Sequence, residues 1–214
     1  MKISVEKNNI FKSLSHVQSI VEKKNVIPVL SNILIEAKDN SLILSATDMD
    51  ISITESLNCN VVEEGSITVS AHTLYNIIRK LPDGNEIEFI SNDGKMFSIR
   101  SGKSRFSLSC LPKDDFPIIE IGNLKSELSI DSQLLLKLIE KTRFAISNEE
   151  TRYFLNGIYF HKRNTENKEL LSMVATDGHR LAKIDFTSQE TIPEIPGVII
   201  PRKTINELCK LLAD

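Results

Sequence analysis

Ala175-Thr176-Asp177-Gly178-His179-Arg180-Leu181-Ala182 gathers a carboxylate, an imidazole and a guanidinium within four residues. Asp177, His179 and Arg180 are the residue types of acid/base chemistry. Ala-Thr-Asp also stands at Ala46-Thr47-Asp48, where Met49-Asp50 follows in place of Gly-His. An aspartate present in both settings is expected to be a turn or capping residue. The sequence contains no GxxxxGK[ST], HExxH or GxSxG, so no nucleotide-cradling, zinc-peptidase or serine-nucleophile motif is present. No catalytic role is expected.

The recurrence of Ala-Thr-Asp is one of four. Lys2-Ile3-Ser4-Val5-Glu6 returns as Glu127-Leu128-Ser129-Ile130-Asp131, with the same apolar/polar alternation. Leu30–Ile35 returns as Leu155–Phe160, again 125 positions on. Residues 65–83 return as 197–214 at an offset of 132. Four blocks in the same order define a duplicated unit. The expected domains are 1–122 and 123–214, with Pro112, Pro117 and the stretch to Gly122-Asn123 as the linker. The second copy stops early. Asp214 aligns with residue 82 or 83, and the strands expected at 86–89, 96–100 and 105–111 have no counterpart. A truncated longer parent is the expectation, because strands paired in one copy would leave an open sheet edge in the other.

Periodicity supplies the elements. Ile10, Phe11, Leu14, Val17 and Val21 mark a helix over about 7–24, with Asn8 or Asn9 as its N-cap. Leu74, Ile77, Ile78 and Leu81 mark a second over 71–81, stopped by Pro82-Asp83-Gly84. Leu134, Leu135, Leu138 and Ile139 mark a third over 131–143, capped by Asp131 or Ser132, and a fourth covers 202–214. Strands are expected at Ile3–Val5, Val29–Ala37, Leu42–Thr47, Ile51–Leu57 and Ile67–Val69, with turns at Asp39-Asn40 and Asn92-Asp93-Gly94. The fold class is α+β: antiparallel sheets with two helices per copy on one face.

Net charge is −3, but it is unevenly placed. The four expected helices hold 12 Lys/Arg against 5 Asp/Glu, and the remainder holds 14 against 24. Basic helices on an acidic body are a footprint of polyanion binding by one face. Trp is absent and aromatics are 6%, which disfavours a stacking platform for single strands. Cys59, Cys110 and Cys209 form no CxxC or Cys/His cluster, so free thiols in a reducing cytoplasm and no metal or cofactor are expected. No apolar run reaches the roughly 20 residues of a membrane span, and Met1–Lys7 lacks a signal-peptide core.

These residues resemble a known family. Ala175–Ala182, Arg152–Gly157, Ser101–Leu108, Leu111-Pro112 with Asp115-Phe116-Pro117, and Ile200–Lys203 are similar to motifs of the bacterial DNA polymerase III beta subunit, the processivity sliding clamp. The resemblance runs through the whole chain in order. It implies three copies of one DNA-clamp domain per subunit and two subunits joined head to tail as a homodimer ring. Helices would line a hole around double-stranded DNA. This chain would carry the first domain and most of the second, and without a third it is expected to be a monomer. The implied partners are the polymerase III catalytic subunit, the clamp loader, and other polymerases and repair proteins that dock by a short peptide motif.

The resemblance also implies sites. DNA contacts fall at Lys24, His72, Glu149, Tyr153 and Phe154. Lys24 keeps a charge without the guanidinium fork, His72 stands where the family often carries an arginine, and a carboxylate at position 149 would repel phosphate. The partner-peptide pocket falls at Arg152, Leu155, Thr176, Gly178, His179, Arg180 and Leu181. Leu155 and Leu181 would form an apolar wall, Arg152 and Arg180 a polar rim. The opposite wall belongs to the absent domain, so weak or no peptide binding by this chain is expected. The competing class is a two-domain DNA-binding protein that forms no ring and holds linear DNA.

Overall fold

The computed structural model describes residues 1–22, 26–119, 127–149, 151–165, 168–187 and 192–213. The chain divides into two compact units, Met1–Glu120 and Ile121–Asp214.

The first unit begins with β1 (Lys2–Glu6), which runs directly into α1 (Lys7–Ile20). Glu6 is the N-cap residue and makes no side-chain cap bond, which corrects the expectation of Asn8 or Asn9. The reason lies in the neighbouring loop. The Lys7 amide donates to the Asn85 carbonyl (3.2 Å), and the buried Lys7 ammonium pairs with Asp83. The helix start is therefore held from outside the helix, and a capping side chain is unnecessary. α1 ends at Ile20 rather than 24, because Val21 is already extended (φ −70°, ψ 120°).

A 3-10 turn at Pro28–Ser31 precedes β2 (Asn32–Lys38) and β3 (Ser41–Thr47). Asp39 and Asn40 both have positive φ (49° and 59°), the two-residue hairpin geometry expected of them. β4 (Ser52–Asn58), β5 (Asn60–Glu63) and β6 (Gly65–Ser70) follow, then α2 (Ala71–Lys80), β7 (Glu86–Ile90), β8 (Met96–Ser101) and β9 (Ser104–Leu111). The nine strands form one antiparallel sheet in the order β4-β3-β2-β6-β9-β8-β7-β1-β5. β9 joins its halves, pairing with β8 along most of its length and with β6 through Leu111 and Cys110.

The core alternates inward along these strands, as period-2 patterning requires. Ile3, Val5, Ile33, Ile35, Leu42, Leu44, Phe89, Phe97 and Ile99 are buried against Ile10, Leu14 and Val17 of α1 and Leu74 and Ile78 of α2. The Phe89 and Phe97 rings meet at 4.9 Å. A satellite cluster of Val29, Leu34 and Phe116 covers the other side of β2. Phe116 is thus packed into the first unit, and the linker reading that began at Pro112 is corrected for that stretch. Residues 120–126 lie outside the described residues.

The second unit has α3 (Ser132–Glu140), β10 (Gly157–Asn164), β11 (Glu169–Thr176), β12 (Leu181–Phe186), β13 (Val198–Pro201) and α4 (Arg202–Ala213). Asp131 caps α3, its side chain accepting from the Leu134 amide (2.9 Å). The helix stops short of 143 because the buried Thr142 hydroxyl bonds back to the Leu138 carbonyl (3.0 Å), and Arg143–Ala145 turns as a separate 3-10 segment.

The sheet order β12-β11-β10-β13 repeats β4-β3-β2-β6 strand for strand. Ile33 faces Val69 across β2 and β6, and Ile158 faces Ile200 across β10 and β13. α2 starts at Ala71 and α4 at Arg202. The structural offset in this block is therefore 131, one less than the sequence match, and one residue decides which face of a strand a side chain occupies. Glu127–Ile130 is not a strand, contrary to its match with β1. β1 is held by β5 and β7, and no described strand pairs with Glu127–Ile130.

Candidate functional site

The turn between β11 and β12 is built from its own polar atoms. The Asp177 carboxylate accepts from the amides of His179 and Arg180 (3.0 Å each) and from the Arg180 guanidinium (3.0 Å). The Thr176 hydroxyl donates to the Arg180 carbonyl (2.7 Å) and accepts from the Gly178 amide (3.1 Å). The Arg180 and His179 amides, with the Arg180 side chain, hold the Asp177 carboxyl down at about 2, because each donor favours the charged form. A carboxylate so occupied is ionised at neutral pH and serves the turn, not proton transfer. The β3–β4 turn repeats the arrangement. Asp48 accepts from Asp50 and Ile51 (3.0 and 2.7 Å), and Thr47 bonds the Ile51 carbonyl and the Met49 amide (2.9 and 3.1 Å).

Beside this turn lies the segment that follows α3. Tyr153–Leu155 forms a 3-10 turn, closed by Leu155 donating to Arg152 (2.8 Å) and accepting from Ser147 (3.0 Å). Arg152 pairs with Glu149 (2.8 Å). Its guanidinium also approaches the turn: a Cβ built on Gly178 would lie 3.7 Å from Arg152 Nη1. Arg180 sits over the Phe144 ring at 5.7 Å. Arg152, Gly178 and Arg180 are thus brought together, with Phe144 added. Leu155 is half-buried, whereas His179 is exposed and Leu181 is 64% exposed.

Tyr153 and Phe154 stand out from the surface, 79% and 56% exposed, with their rings edge to face at 5.6 Å. Glu149 does not present a bare carboxylate, since Arg152 neutralises it. His72 is half-buried, and both ring nitrogens are occupied within the first unit. Nε2 lies 3.0 Å from the Val21 carbonyl and Nδ1 3.0 Å from Gln18 Oε1. Lys24 lies outside the described residues. Within the observed helix bounds, Lys7, Lys12, Arg79, Lys80, Lys137, Arg202, Lys203 and Lys210 stand against Glu140 and Glu207.

Two residues were not singled out by the sequence reading. Phe144 carries no motif signal. Arg202 lies in the Ile200–Lys203 motif but was counted only as charge. Its side chain donates to the Ile146 carbonyl (2.8 Å) and to Asn148 Oδ1, and its amide donates to the Asn156 carbonyl (3.0 Å).

Among the described residues no group of three or more His, Cys, Asp or Glu side chains could hold a metal. Burial, and to a lesser degree Asp93, pushes the Cys110 thiol up to about 11, which makes it a poor thiolate. No described helix is long and apolar enough to cross a membrane.

Comparison with known proteins agrees with this architecture. The family profile of the DNA polymerase III beta subunit N-terminal domain matches residues 1–120, and that of its central domain matches 129–214. The beta sliding clamp of Caulobacter vibrioides strain NA1000 / CB15N is 48% identical over 213 residues, and that of Escherichia coli K12 is 36% identical. Each alignment covers 99% of this chain and 57% of the relative. The chain therefore spans a little over half the length of the relatives it matches. A Caulobacter crescentus beta sliding clamp superimposes with a TM-score of 0.96 at 48% identity, covering 100% of this chain and 57% of that one. A Bartonella birtlesii clamp bound to griselimycin superimposes at 0.95 and 47% identity, with the same coverage. Duplicated sheets, matching turns and profiles over both units together establish that this chain belongs to the DNA polymerase III beta subunit family.

Proposed function

We propose that this chain is the first and second domains of a DNA polymerase processivity factor that encircles duplex DNA and tethers the replicative polymerase. The observation that carries this reading is membership of the beta subunit family over both units. A ring holds its duplex by topology. It needs cationic groups that attract phosphates without reading bases, because phosphate contacts are independent of sequence. The basic bias of the four helices suits that task. Tyr153 and Phe154, exposed beside the Glu149–Arg152 pair, would lie against the backbone of the duplex, with Lys24 as the corresponding cation of the first domain.

The second role is docking. Gly178, Arg180, Leu181, Leu155, Thr176, His179 and Arg152 would form the second-domain wall of a pocket for a short peptide motif carried by polymerases, the clamp loader and repair proteins. Support comes from the approach of Arg152 to Gly178 and from the unobstructed Leu181. A Bartonella birtlesii relative is described with griselimycin bound, so a clamp of this family takes up a ligand. The protein would act as a head-to-tail dimer in the cytoplasm, without catalysis or cofactor.

The test is retention on DNA. A chain extended to the length of its relatives is loaded onto closed circular duplex and followed by sedimentation or gel filtration. A ring is retained on the circle and lost when the circle is cut. Equal retention on linear DNA overturns the ring and leaves a two-domain DNA-binding protein.

A further inference from the structure

Arg202 is the first residue of α4, yet its side chain turns back onto the segment after α3. It reaches that segment at both ends. Nη2 donates to the Ile146 carbonyl (2.8 Å), Nη1 donates to Asn148 Oδ1, and the main-chain amide donates to the Asn156 carbonyl (3.0 Å). Between those anchors lie Glu149, Arg152, Tyr153 and Phe154. Arg202 is half-buried, and its Nε is buried without a hydrogen-bond partner. Each terminal nitrogen commits one of its N–H donors to the loop, so the guanidinium is oriented by the protein and not free to follow a phosphate.

The first unit holds the corresponding point by other means. Val21 precedes Ile146 by 125 positions, the offset that also relates Leu30 to Leu155. The Val21 carbonyl is held by His72 Nε2 (3.0 Å), from the second residue of α2. An arginine and a histidine, at neighbouring positions of equivalent helices, reach the same carbonyl. Two different side chains converging on one acceptor mark that carbonyl as a point each unit must fix. The strands alone do not fix it, because it lies where the chain leaves its first helical segment for the loop.

We propose that Arg202 is a positioning residue: it fixes the loop that presents Glu149, Arg152, Tyr153 and Phe154, and does not itself contact DNA. The consequence for DNA rests on the sliding-clamp reading; the fixing of the loop does not. A rigid loop presents its aromatic rings without an ordering cost at each encounter.

The experiment has two arms. In the 214-residue chain, amide hydrogen exchange is compared for wild type, Arg202→Met and Arg202→Lys. The amides of Ser147, Arg152 and Leu155 are expected to exchange about tenfold faster or more in Arg202→Met, the scale of a lost charge-assisted hydrogen bond. Those of Met173 and Val174, central in the sheet, are expected to be unchanged. Arg202→Lys keeps one charged donor and is expected to recover part of the protection. Unchanged exchange at the three loop amides overturns the proposal, as does equal acceleration in loop and sheet.

In the second arm, retention on circular duplex is measured across salt concentrations for the extended chain. Arg202→Met is expected to weaken retention without changing the slope of log affinity against log salt. A slope reduced by about 1 means a lost phosphate contact and overturns the positioning role. Faster loop exchange with unaltered retention removes the consequence for DNA. If the wild type itself is not retained, the clamp reading fails, while the exchange arm still decides what Arg202 does.

Discussion

Met49 and Gly178 occupy the same place in two copies of one turn, with φ of 81° and 91°. Each follows an aspartate whose carboxylate accepts from the amides two and three positions after that aspartate. The backbone is the same, but only one copy uses the residue that tolerates it. A side chain at positive φ costs roughly 1–2 kcal/mol, and the greater freedom of unfolded glycine returns about 0.5–1 kcal/mol of that. Met49→Gly is therefore expected to be neutral to about 1 kcal/mol stabilising. Gly178→Ala is expected to destabilise by about 1 kcal/mol. A Cβ at 178 meets nothing closer than 3.7 Å, so that cost is conformational. Urea midpoints of the two variants test the sign of each.

The Asp177 carboxyl provides a pH signature. Its folded value is depressed to about 2 by the Arg180 and His179 amides and the Arg180 guanidinium. The unfolded value is about 3.9. A depressed carboxylate contributes stability that is fully present above the unfolded value and is lost as pH falls toward the folded one. Asp177→Asn keeps an acceptor oxygen but removes the charge. The variant is expected to be less stable than wild type at pH 7, with the gap closing between about pH 4 and 2. A gap independent of pH across that window would show that the charge contributes nothing to the turn. Thermal midpoints over pH 2–7 supply the measurement.

Gly157 is required for a different reason. It opens β10 and pairs with Pro201 of β13. A Cβ there would sit 2.7 Å from the Ile199 side chain and closer still to the Ile200 carbonyl. The obstacle is backbone, which cannot rotate away. Gly157→Ala is expected to destabilise the second unit by roughly 1–3 kcal/mol, the range for forced overpacking. The loss should appear as faster exchange of amides paired between β10 and β13, with β7 and β8 of the first unit unchanged.

The duplication was legible because strands and helices leave periodic apolar residues. Ile33, Ile35, Ile158 and Phe160 point inward in both copies, and that alternation survives substitution. Asp39-Asn40 and Asp177 were legible for the same local reason: the side chain that shapes the turn is itself in the turn. What failed was non-local. The start of α1 depends on the Asn85 carbonyl and Asp83, far along the chain, so a search for a neighbouring cap chose Asn8 or Asn9. Glu127–Ile130 carries a strand pattern but pairs with no strand among the described residues. His72 entered only through the resemblance, as a DNA contact, and its bonds to Gln18 and Val21 could not be foreseen because neither is near it in sequence. Arg202 read as surface charge because the three groups it binds lie about 50 positions away. Side chains that tie distant segments together carry no periodic signal.

Tyr153 and Phe154 allow function and stability to be separated. Both rings are exposed, and their edge-to-face contact is at the surface. Substituting either with alanine removes little buried area and is expected to change stability by no more than about 0.5–1 kcal/mol. On the sliding-clamp reading, both variants should weaken retention of the extended chain on circular duplex, uniformly across DNA sequences. Neither ring carries a charge, so the salt slope should stay that of wild type. Tyr153→Phe keeps the ring and removes the hydroxyl. Wild-type retention in this variant assigns the effect to the aromatic face, and loss equal to that of Tyr153→Ala assigns it to a hydrogen bond from the hydroxyl to phosphate. Retention of all three variants at the wild-type level would remove these two residues from the DNA-facing surface, leaving the helix cations to carry it.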